Sequence, residues 1–117
     1  MVKHMDKLSK KALKEQYKNR VLVGGVYRIQ CNANDAFWVR AAIDLQGSKN
    51  RFQFSLSMDS SPEPCMAEAW NQFGKSSFSY EILEELQKKE LQTEGEFAED
   101  INILLEIWTD KLSEGGL

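Results

Sequence analysis

The sequence predicts an α+β fold, a small three-stranded antiparallel sheet flanked by helices, with an extra amino-terminal helix in front of it. Three observations carry that prediction. Apolar residues recur at helical spacing in four segments, and three others alternate as strands do. The first two strands are separated only by Asn32-Ala33-Asn34-Asp35, turn residues that tolerate left-handed backbone and set up a hairpin. The order helix, strand, strand, helix, helix, strand, helix then buries its apolar faces most simply as a sheet covered by helices. No repeat, low-complexity segment or linker interrupts the 117 residues. Residues 1–20 read as a basic helix and residues 21–117 as a single domain.

Each element has its own reason. Leu8, Ala12, Leu13 and Tyr17 share one side of a helix over residues 6–17, with lysines opposite. Residues 21–31 switch to β-branched alternation, Tyr27, Ile29 and Cys31 facing one way and Val26, Arg28 and Gln30 the other. Gly24-Gly25 inside that run marks a bulge or a close backbone approach. Residues 36–42 form the return strand of the hairpin. Asp44 caps a helix over residues 45–57, in which Leu45, Phe52 and Leu56 recur at core spacing. Ser60-Ser61-Pro62-Glu63-Pro64 is a stiff break. Met66, Ala69, Trp70 and Phe73 fall at i, i+3, i+4 and i+7, and Gly74 stops that helix. Phe78, Tyr80 and Ile82 share one face of a third strand. Thr93 and Glu96 make a capping box for a long helix expected to bury Phe97, Ile101, Leu104, Leu105, Trp108 and Leu112.

Composition narrows the function. Hydrophobic residues make up 42% and charged residues 28%, as in ordinary globular domains. No apolar run reaches membrane-spanning length, and Met1-Val2-Lys3-His4-Met5-Asp6 lacks the apolar core of a secretory signal. A cytoplasmic location with no membrane partner is the expectation. His4 is the sole histidine, so a histidine triad or histidine metal site is excluded within these residues. Cys31 and Cys65 read as reduced thiols packed as small apolar groups. Charge is segregated: residues 1–20 hold seven Lys/Arg against two Asp/Glu, residues 21–75 balance, and residues 76–117 hold three against eleven. Only the first segment offers the basic field that phosphate binding requires. Its lysines also read, more plainly, as the solvated face of a helix.

Gly25-Val26-Tyr27 on the first strand and Phe37-Trp38-Val39-Arg40 on the second stand where a paired tripeptide signature would. Further along come Asn50-Arg51-Phe52, Phe54, Leu56 and Met58, then Trp70-Asn71-Gln72-Phe73-Gly74. The stretch from Phe78 to Leu86 and Glu106-Ile107-Trp108 complete the series. In order and content this resembles the GIY-YIG nuclease family over residues 22–112. The resemblance implies a scaffold for phosphodiester cleavage with one divalent ion, magnesium or manganese. A tyrosine from each strand lies near the attacking water, an arginine steadies phosphate charge, and a helical glutamate holds the metal.

Carried over residue by residue, the resemblance places Tyr27 at the first tyrosine and Trp38 at the second, where indole has no hydroxyl to relay a proton. Arg40 replaces a glycine. Ser48 takes the usual arginine position, with Arg51 one turn later on the same face, and Phe52 replaces a frequent histidine. Leu105 falls at the metal carboxylate, and Glu106 beside it is turned about 100° away. The expected result is an inactive or weakly active relative with vestigial Tyr27 and Arg51, no metal ligand and no cofactor. It would bind nucleic acid or phosphate weakly, with Arg28, Arg40 and Arg51 forming an anion pocket.

Plainer readings stand beside these. Tyr27 packs against a helix, Trp38 is partly buried sheet surface, and each arginine pairs with a local acid such as Asp44 or Glu81. Glu81, Glu84, Glu85, Glu94, Glu96 and Glu99 form a solvated surface rather than a metal site. An alternative function is a non-enzymatic interaction or homo-oligomerisation module joining the basic amino-terminal helix of one copy to the acidic surface of another. A third is an active enzyme with a migrated site using Tyr27, Arg51 and Glu106 or Glu99.

Overall fold

The computed structural model describes residues 21–115. The expected amino-terminal helix lies outside the described residues. Strand β1 (Val23–Cys31) is followed by β2 (Ala36–Ala42) and helix α1 (Leu45–Met58). A 3-10 turn at Pro64–Met66 leads into helix α2 (Ala67–Phe73). A second, at Lys75–Ser77, leads into β3 (Phe78–Gln87), and helix α3 (Glu94–Gly115) closes the order.

The three strands form one antiparallel sheet in the order β2-β1-β3. Turn chemistry sets the hairpin: Asp35 takes a left-handed conformation (φ 58°), and the Asn34 side chain accepts from the Ala36 amide at 3.0 Å. Register then pairs Tyr27 with Arg40 and Ile29 with Trp38. Against β3, Val26 pairs with Glu84 but Tyr27 with Ile82, so Leu83 is the extra residue of a β-bulge beside Tyr27. Gly25 makes this pairing possible. Its φ is 152°, and a Cβ there would meet the Glu84 carbonyl oxygen at 2.0 Å. The glycine pair therefore marks both expected features, with the bulge itself displaced onto β3.

Strand alternation divides the core between two faces. Helices α1 and α2 cover the first, where Ile29, Cys31, Phe52, Met66, Trp70 and Phe78 form one buried cluster. Tyr27, Trp38 and Tyr80 pack against its edge. Asp44 caps α1 by accepting from the Gly47 amide at 3.2 Å, and left-handed Asp59 ends it. The Asp59 carboxylate also accepts from the Trp70 indole at 3.1 Å, tying the end of α1 to α2. On the other face Val26 is buried, and α3 packs across β1 and β2 with Phe97 and Ile101 buried. Its capping box is formed: Glu96 accepts from the Thr93 amide at 2.9 Å and Thr93 Oγ1 from the Glu96 amide at 3.1 Å.

Two expectations of burial need correction. Leu104, Leu105, Trp108 and Leu112 are only half-buried. The 22 residues of α3 extend about 33 Å, whereas three strands about 4.8 Å apart make a much narrower sheet. The helix overhangs, and the Trp108 indole instead donates to Glu84 on the β3 edge at 2.7 Å. Cys31 is buried as expected, but Cys65 is exposed, because it sits on the short turn that starts the α2 segment.

Candidate functional site

A cleft of about 230 Å³ opens between β1, α1 and the loop before Pro64. Ile29 and Phe52 form its apolar lining, and Tyr27, Ser48, Arg51, Ser55 and Glu63 supply the polar groups. Tyr27 and Arg51, assigned to one site on sequence grounds, line it together.

The two tyrosines of the sheet behave differently. Tyr80 stacks on Tyr27 with ring centroids 4.9 Å apart and lies 5.7 Å from Phe52. Its hydroxyl is 2.6 Å from Ser48 Oγ, which in turn donates to the Leu45 carbonyl at 2.9 Å. Ser48 is therefore buried in structural hydrogen bonds and is no substitute for an arginine. The Tyr27 hydroxyl, by contrast, has no hydrogen-bond partner among the described residues. Burial, then the charge of Glu63 and the proximity of Tyr80, push its pKa up against the opposing pull of Arg51 and Arg40. At neutral pH it is a protonated donor. Burial likewise raises the Tyr80 phenol, against the Ser48 hydrogen bond and the Arg51 charge.

Arg51 is exposed, and its guanidinium makes no ion pair or hydrogen bond among the described residues. Arg40 shares the Tyr27 face through register but is engaged. Its Nε donates to both Glu63 oxygens at 3.0 and 3.2 Å, its Nη1 to the Val39 carbonyl at 2.9 Å, and its Nη2 to Cys65 Sγ at 3.5 Å. Desolvation opposes its charge, yet Glu63 and Cys65 outweigh that and raise its pKa. An acid beside each arginine was expected, with Asp44 and Glu81 as examples; for Arg40 that acid is Glu63.

Arg28 is not part of the cleft. It alternates onto the opposite face, pairs with Glu81 at 2.5 Å and lies 5.8 Å from the Phe37 ring. The expected three-arginine pocket is thus divided by the sheet, because adjacent register pairs face opposite ways. Trp38 stacks on Phe78 at 6.1 Å and belongs to the core edge, so its ring packs rather than offering an open platform. Leu105 does not line the cleft, and Glu99 and Glu106 are exposed on α3. The acidic residues of β3 and α3, from Glu81 to Glu99, are exposed as expected.

Sequence reasoning missed Glu63. It treated residues 60–64 only as a break, although a carboxylate between two prolines is held at a fixed angle and was the available signal. Among the described residues no group of three or more His, Cys, Asp or Glu side chains is placed to hold a metal. Glu63, the one carboxylate among the cleft's lining residues, is committed to Arg40. This donor set does not fit a divalent ion.

A larger groove of about 440 Å³ lies beside Val23, Leu45 and Ile82. Asp44, Lys49 and Glu85 mix charges along it, without a convergent set of donors. The smaller cleft is the candidate site. Among the described residues no helix is long and apolar enough to cross a membrane. Comparison with protein-family models, curated proteins and solved structures found no match.

Proposed function

We propose that this chain is a divergent GIY-YIG-type domain that holds a phosphate of nucleic acid in the Tyr27–Arg51 cleft and hydrolyses phosphodiesters weakly or not at all. One observation carries the reading: the two residues that the resemblance assigns to the catalytic centre line a single cleft, and both present donors without partners among the described residues. A guanidinium binds phosphate through two parallel N–H bonds, and a neutral phenol adds a third donor. Neither donor is sealed from water, so a ligand oxygen exchanges for water there and the charge-assisted bonds from Arg51 supply the gain.

Weak or absent hydrolysis follows from the same inventory. Trp38 offers no hydroxyl, Leu105 no carboxylate, and Ser48 is tied to Tyr80 and Leu45. Removing one member of a cooperative site costs orders of magnitude in rate, and here several are replaced together. Magnesium or manganese should add nothing to the purified protein.

Fluorescence anisotropy with single-stranded and duplex oligonucleotides across a salt series tests this. Binding at low salt that weakens with salt and is lost in Arg51→Ala supports the reading; no binding at the lowest salt removes it.

A second reading rests on the exposed Glu81, Glu84 and Glu85 of the edge strand β3. They suit a basic partner, such as residues 1–20 of another copy. Removing residues 1–20 should then lower the mass seen by sedimentation, and an unchanged mass counts against it.

A further inference from the structure

The carboxylate of Glu63 is presented to the cleft from a constrained loop. Pro62 and Pro64 flank it, its backbone is extended (φ −140°, ψ 150°), and its carbonyl accepts from the Met66 amide at 3.0 Å and from Ser61 Oγ at 3.2 Å. Its side chain pairs with Arg40, which is not itself among the lining residues. Among the described residues the lining therefore holds one unpaired cation, Arg51, and one anion, Glu63.

We propose that Glu63 selects the charge of the anion the cleft accepts, favouring a singly charged phosphodiester over a doubly charged phosphate. The inference rests on the phosphate-binding reading above and concerns what that site admits. A phosphodiester gains from Arg51 and meets Glu63 with one charge. A dianion doubles its attraction to Arg51 but also its repulsion from Glu63, so the second charge brings little net gain while the desolvation cost rises with the square of the charge. Arg40 pairs with Glu63 but is not among the lining residues, so its charge offsets this only in part. The selection is by charge rather than by shape.

The test compares a dinucleoside monophosphate, which carries one charge, with inorganic phosphate, which is mostly dianionic above pH 7. Affinities are read by isothermal titration in the wild type, Glu63→Gln and Glu63→Asp. Glutamine removes the charge but keeps an acceptor for Arg40. It should raise affinity for inorganic phosphate by about tenfold relative to the dinucleoside monophosphate, the scale of one close charge pair in a wet site. Aspartate keeps the charge and the wild-type preference. Should Glu63→Gln fail to fold, Arg40→Gln gives the reverse test, since an unmasked Glu63 must disfavour phosphate further. A ratio unchanged in Glu63→Gln or Arg40→Gln, with the dinucleoside monophosphate still bound, overturns the inference and leaves the phosphate-binding reading standing. Binding of neither ligand to any of these proteins overturns both.

Discussion

Tyr27 and Tyr80 stack across β1 and β3 with ring centroids 4.9 Å apart, yet only Tyr80 has its hydroxyl tied to the helix in front of it. The pair is a wall with one closed end and one open end. Tyr80 anchors α1 through Ser48, whereas Tyr27 lines the cleft and its hydroxyl has no hydrogen-bond partner among the described residues. On the proposed reading, that asymmetry separates a structural tyrosine from one left for a ligand.

Alkaline stability should report this wall. Both phenols are raised above their ordinary 10.0, chiefly by burial. Near and above that pH the unfolded chain releases these protons while the folded chain keeps them. Their contribution is complete below about pH 10 and is lost as pH rises through the folded values. Urea midpoints between pH 8 and 11.5 should fall more steeply for the wild type than for Tyr27→Phe/Tyr80→Phe. Parallel curves would show that neither phenol is perturbed by folding.

Gly25→Ala should be among the most damaging single changes. The new Cβ would meet the Glu84 carbonyl at 2.0 Å in backbone that alanine disfavours, so β1 and β3 must separate. A loss of at least about 3 kcal/mol is expected by denaturant unfolding. A loss under about 1 kcal/mol would show that the strands are not paired in this register.

The two faces of the sheet make opposite predictions for their arginines. Arg28→Ala breaks a partly exposed ion pair with Glu81, costs under about 1 kcal/mol of stability and leaves oligonucleotide affinity unchanged. Arg51→Ala costs little stability, because its guanidinium has no ion pair to lose among the described residues, but reduces oligonucleotide affinity about tenfold or more. Equal effects of the two substitutions on binding would mean that the cleft is not the site.

Much of this was legible in the sequence because periodicity and caps are local. The hairpin turn, the Asp44 cap, the Gly74 stop and the Thr93–Glu96 box all form where their residues stand. Alternation also separated Arg28 from Tyr27, and the shared anion pocket failed by overlooking it. What was not legible depended on tertiary geometry. The half-burial of Leu104 and Trp108 follows from a long helix overhanging a narrow sheet, which no heptad count reveals. Glu63 meets Arg40 across 23 residues, and only the folded loop brings it to the cleft.

The most direct test follows backbone and side-chain NMR resonances while a short single-stranded oligonucleotide is titrated into the protein at low salt. The account predicts shifts concentrated at Tyr27, Arg51 and Ser55 that disappear in Arg51→Ala. Shifts concentrated instead around Arg28 and Phe37 on the opposite face, or no shifts at all, would contradict it.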